Sequence, residues 1–144
     1  MSRYRVVKGW KYQLLDDYII PVGIKPVINV DTQFLKLNRA GVLIIKRFYA
    51  WDGPSGPTID TPDFMRGSLV HDGLYQLMRV GVLSPKLYRK RADQLLHDIC
   101  IQDGMCRFRA WYVYWAVRLF AGISARPGTE KPLKICNLGG QYVD

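Results

Sequence analysis

The stretch TPDFMRGSLVHDGLYQLMRVG, residues Thr61 to Gly81, decides the fold, because here the chain passes from strand-like to helical patterning. Thr61 before Pro62 reads as an N-cap with proline at the first helical position, where a missing amide hydrogen costs nothing. Gly81 supplies the stop, so the spacing predicts a helix from Pro62 to about Arg79. Within it His71 and Tyr75 are four residues apart and share a face with Ser68 and Leu74, while Asp72 lies about 100° round the axis.

Downstream, Ser84 and Pro85 repeat the same opening and predict a second helix to about Gln102, ended by Gly104. A third helix is expected over Arg107 to Ala121 (RFRAWYVYWAVRLFA), stopped by Gly122, with most of its aromatic side chains in the core. The connections are short, which favours antiparallel neighbours. Asp93 sits at the edge of the apolar stripe of Ala92, Leu95, Leu96 and Ile99, and so points toward the first helix rather than plainly into water. At the usual helix separation of about 8 to 10 Å it reaches His71 or Tyr75. His97, four residues after Asp93, reads as its helix partner.

Upstream, Tyr4 to Val7, Tyr12 to Ile20, Gln33 to Leu37 and Val42 to Tyr49 are rich in β-branched and aromatic residues and predict strands. NRAG, Asn38 to Gly41, is a hairpin turn, and strands in sequence order suggest an antiparallel meander. Pro21 and Pro26 mark a loop or edge segment between them. DGPSGPTID, Asp52 to Asp60, is a glycine- and proline-rich loop built to hold a shape, in which Asp60 reads as a cap before the first helix. The expected class is therefore α+β, an N-terminal antiparallel β meander followed by a three-helix half with an antiparallel helix pair. One domain is expected over residues 1–144, with a β-rich segment over 1–50, a loop over 51–60, a helical segment over 61–122 and an irregular tail over 123–144.

Hydrophobic residues make up 49% of the chain and charged residues 23%, which excludes a disordered polymer and predicts a packed core. A net charge of +9 draws the protein toward something anionic, nucleic acid, a phospholipid surface or an acidic partner. No nucleic-acid motif accompanies the scattered basic residues, and only Arg89, Lys90 and Arg91 cluster. Cys100, Cys106 and Cys136 fit no zinc or redox spacing and read as reduced thiols. No signal peptide and no apolar run of membrane-spanning length is seen, so synthesis in a cytoplasm is expected.

A histidine whose far nitrogen is held by a buried carboxylate is a poised general base, since the carboxylate fixes the tautomer and stabilises the imidazolium. His71 and Asp93 form such a candidate pair, and Asp72 with the carbonyls of the glycine loop offers the oxygen ligands that calcium takes. Two other readings stay open. The same residues can form a buried polar network that specifies helix packing, or His71, Asp72, Asp93 and His97 can ligate zinc.

The strings YAWDGPSGPTIDTPDFMRGSLVHDGLYQLM, ADQLLHDIC and DGMCRFRAWYVYWAVRLFAG, spanning about Tyr49 to Gly122, resemble an uncharacterised family of small proteins from tailed phages and prophages. That resemblance implies a chain made in a host cytoplasm, with a place in the phage particle as one destination. The order of glycine loop, His-Asp-x-x-Tyr and a second-helix Asp is also similar to secretory, calcium-dependent phospholipases that cleave the sn-2 ester, chiefly their compact viral-capsid type. This second resemblance implies His71 as general base, Asp93 orienting it, Tyr75 hydrogen-bonded to Asp93, and calcium held by Asp72 with backbone carbonyls of Gly53 and Gly56, joined by Asp52. It implies an anionic phospholipid surface as partner, the alternative being other phage proteins in a non-enzymatic virion or binding role. The chain departs from those enzymes in its WDGPSG loop, its lack of a disulfide framework and its strand-rich first third.

Overall fold

The computed structural model describes residues 3–7, 10–52, 61–122, 125–127, 135–136 and 142–143. An N-terminal set of antiparallel strands is followed by three helices, which makes the architecture α+β. The strands are β1 (Tyr4–Val7), β2 (Trp10–Leu14), β3 (Tyr18–Pro21), β4 (Val30–Asp31), β5 (Leu35–Leu37), β6 (Val42–Ile45) and β7 (Ala50–Trp51). The helices are α1 (Pro62–Arg79), α2 (Pro85–Gln102) and α3 (Arg107–Phe120). Toward the C-terminus β8 (Ile135–Cys136) pairs with β9 (Tyr142–Val143), so the tail is not wholly irregular.

A simple meander is not what forms. The strands divide into two sheets of order β1-β2-β7 and β3-β6-β5-β4, because the single strand expected over Tyr12 to Ile20 breaks at Leu15 to Asp17. Asp17 and Asp16 hold that break, Asp17 accepting the Arg47 amide at 2.8 Å and Asp16 taking a two-pronged bond from Arg3 at 2.9 Å. β6 then pairs with both β5 and β3, and the NRAG turn is closed by the Gly41 amide on the Asn38 carbonyl at 3.0 Å. Leu35, Leu37, Leu43 and Ile45 alternate inward and form the floor on which α1 lies.

The helix boundaries follow their punctuation. Ser84 Oγ caps α2 through the Leu87 amide at 3.3 Å, whereas Thr61 makes no such cap. Thr61 instead donates to Asp63 and accepts from Arg109 Nη1 at 2.7 Å, which ties the start of α3 to the start of α1. α1 and α2 run out before Gly81 and Gly104, whose φ angles of 82° and 98° turn the chain away.

α1 is central. Its Gly73 meets the sheet, where an added Cβ would lie 3.3 Å from Leu35 and 3.4 Å from Ile45. Its opposite side meets α2 at Gly67, where a Cβ would come within 2.9 Å of Cys100 Sγ. The two glycines let α1 approach a neighbour on each side closely, and the second approach brings His71, one turn further on, against α2. α2 in turn packs on α3 through Leu96, Cys100, Ala110 and Val113.

Candidate active site

Asp93 is the centre of the site, fully buried at mid-length of α2. His71 Nε2 lies 2.7 Å from its Oδ1, and the Tyr75 hydroxyl donates to the same oxygen at 2.6 Å. A carboxylate oxygen only accepts, so Nε2 carries a proton, and in the neutral ring the lone pair is on Nδ1. The rings of His71 and Tyr75 lie 4.1 Å apart between centroids, one turn apart on α1 as their spacing predicts.

The second oxygen of Asp93 is held from α3, where Arg118 Nη1 donates to Oδ2 at 2.8 Å. Three helices therefore meet on one carboxylate. Arg118 was legible only as one of many basic residues, because choosing it requires the antiparallel register of α2 and α3. The signal available beforehand was a deficit: a buried carboxylate with histidine and tyrosine on one oxygen still needs a donor for the other. Arg89 adds a further cation nearby, giving its guanidinium to the Arg118 carbonyl at 3.2 Å, near the C-terminal end of α3 where carbonyls lack helical partners.

These contacts set the charge states. Burial is the largest influence on Asp93 and opposes its ionisation, but His71, Tyr75 and Arg118 together hold it below its ordinary value. Burial is likewise the largest influence on His71 and opposes its protonation, and the carboxylates of Asp72 and Asp93 outweigh it, so the imidazole lies above its ordinary value. Burial and then the Asp93 charge push Tyr75 up, which keeps it a donor.

Asp72 does not turn away from His71, as its place on the helical wheel suggests. Its Oδ1 lies 4.0 Å from His71 Nδ1, too far for a hydrogen bond and close enough for its charge to act. Asp72 is partly exposed, and with Asp52 its charge adds to burial in raising Tyr49, so both carboxylates act on one buried hydroxyl. Gly53, Gly56 and Asp60 lie outside the described residues.

The donor chemistry suits a hard cation only incompletely: Asp72 and Asp52 offer carboxylate oxygens, and no group of three His, Cys, Asp or Glu side chains gathers for a metal among the described residues. The zinc set is not assembled there. His97 bonds Asp98 at 2.9 Å and is not the partner of Asp93, because Asp93 turns inward to His71 and Arg118 while His97 stays on the outer flank.

The tryptophans divide by element. Trp51 is buried, its Nε1 donating to Ser68 Oγ at 3.1 Å beneath the site. The expectation that the α3 aromatics are mostly core is wrong: Phe108, Trp111, Tyr112 and Trp115 are exposed, because the small residues Ala110 and Val113 take the side that faces α2. Among the described residues no helix is long and apolar enough to cross a membrane. Comparisons with family models, with curated proteins and with solved structures find nothing that matches this chain.

Proposed function

We propose that the protein is a calcium-dependent phospholipid esterase of phage type, in which His71 activates water for attack on an acyl ester. The observation that carries this reading is the double engagement of Asp93 Oδ1 by His71 Nε2 and Tyr75. It fixes the imidazole so that Nδ1, which holds the lone pair once the ring is neutral, faces the side of the partly exposed Asp72. Water placed at Nδ1 gives up a proton to the ring as its oxygen attacks the carbonyl carbon, and Asp93 stabilises the imidazolium that results. The same proton then passes to the departing alcohol oxygen as the ester bond breaks. A calcium ion held by Asp72, with Asp52 and backbone oxygens of Gly53 and Gly56, would supply positive charge for the oxyanion. Tyr75 stays protonated and limits rotation of Asp93.

One observation favours a second reading, a non-enzymatic phage virion or binding protein whose cluster serves packing. Both oxygens of Asp93 are occupied, and the arginine from α3 makes the network self-sufficient in charge and hydrogen bonds.

The discriminating experiment is release of fatty acid from mixed phospholipid vesicles with calcium, compared with chelator, for wild type and His71→Gln. The esterase reading expects release that needs calcium and falls by at least about a hundredfold in the variant. No release by wild type, together with a lowered Tm for His71→Gln that calcium does not affect, leaves the packing reading.

A further inference from the structure

The outer face of α3 takes no part in the site. Phe108, Trp111, Tyr112, Trp115 and Leu119 are 42 to 77% exposed. At 100° per residue their side chains fall within an arc of about 100°, one continuous stripe along the helix. The Phe108 and Trp111 rings stack at 6.1 Å between centroids, and Trp115 meets Tyr114 edge-on at 5.3 Å. Among the described residues packing does not account for the stripe, since Ala110 and Val113 on the other side of the helix make the contact with α2.

Charge decides what covers it. α3 contains no acidic residue; of its three arginines, Arg109 and Arg118 pair with Asp63 and Asp93, and Arg107 at its start is exposed. Lys86, Lys90 and His97 are four and seven residues apart on one flank of α2, and His97 meets Tyr114 of α3 at 6.2 Å between centroids. That flank therefore borders α3 and lines the stripe with exposed cations, Lys86 and Lys90. A second copy of the chain is a poor occupant, because two molecules of net charge +9 would meet through the same basic margin. An anionic bilayer matches both halves of the face: tryptophan and tyrosine settle at headgroup depth, and the cations meet lipid phosphates.

We propose that α3 docks the protein on the surface of an anionic phospholipid bilayer, with the Phe108–Leu119 stripe in the headgroup layer and Lys86, Lys90 and Arg107 against the phosphates. The choice of phospholipid as the anionic surface rests on the esterase reading; the stripe itself does not. α3 is also the helix whose Arg118 holds Asp93, so the docking face and the base belong to one structural unit.

The test is co-sedimentation and tryptophan fluorescence of the full chain with phosphatidylcholine vesicles, with and without phosphatidylglycerol. It compares wild type, the double variant Trp111→Ser with Trp115→Ser, and Lys90→Glu, with hydrolysis of dispersed short-chain phospholipid measured in parallel. Wild type is expected to bind the anionic vesicles and release them at high salt, and the double variant to partition about tenfold less with unchanged circular dichroism. Lys90→Glu weakens binding to anionic vesicles alone. Equal binding by the double variant overturns the proposal, as does a wild type that ignores anionic vesicles. Docking that depends on α3 without any ester cleavage keeps the surface and removes the esterase. Cleavage of dispersed lipid without such docking does the reverse.

Discussion

α1 and α3 are both apolar helices packed with the same neighbour, and they spend their side chains in opposite ways. α1 buries residues round most of its circumference, from Phe64 to Met78, because a sheet lies on one side and α2 on the other. α3 buries its small residues and turns its largest ones outward. Hydrophobic content alone therefore does not tell a core helix from a surface one; what separates them is which sizes of side chain share the buried face. Small residues permit close approach to α2, and the aromatics that would not fit there stand in solvent.

The largest effect expected from probing this contrast is at Asp93, where α1 and α3 are both fastened. Asp93→Ala strands a buried imidazole, a tyrosine hydroxyl and a guanidinium, and should lower stability by about 3 to 5 kcal/mol in urea unfolding. A loss under about 1 kcal/mol would mean that the three donors find other partners and that the helices are not joined there. Leu74→Ala, in the fully buried middle of α1, should cost about 2 to 5 kcal/mol by the same measurement.

A smaller effect is expected from pH. His71 lies above its ordinary value of 6.5, so its contribution is complete below that value and is lost as pH rises through the folded value. Asp93 lies below its ordinary 3.8, so its contribution is complete above that value and is lost as pH falls through the folded one. Stability from the cluster should thus be greatest between 3.8 and 6.5, and urea midpoints should decline on the alkaline side in wild type but not in His71→Gln. The smallest effect completes the comparison. Leu119→Ala, the same chemical change made on the exposed face of α3, should move stability by no more than about 0.5 kcal/mol.

Much of this was legible in the sequence, and for local reasons. Thr61-Pro62, Ser84-Pro85, Gly81 and Gly104 mark helix ends within a few residues of the atoms they act on. The meeting of His71, Tyr75 and Asp93 followed from one assumption, that two helices joined by a short link run antiparallel. What escaped was non-local. The pairing of β6 with β3 joins strands separated by a long excursion, and nothing in either strand names its partner. Arg118 is chosen by the register between α2 and α3, which a list of basic residues does not contain. The outward aromatics of α3 do leave a trace in the sequence: Ala110 and Val113 are three apart and mark the buried side.

The close crossing at Gly67 also makes the molecule its own stopwatch. Cys100 fills the space that a side chain on Gly67 would take and is covered by Ala110 and Val113 of α3, and burial pushes its thiol up to about 12, so a thiol reagent cannot reach a reactive form until this packing opens. Cys106, six residues away and exposed, meets the reagent at once. The interval between the two labelling events, read by mass on the respective peptides, times how often α2 parts from the helices packed on Cys100, α1 and α3. It does so in the native chain, with no dye, tag or substitution added.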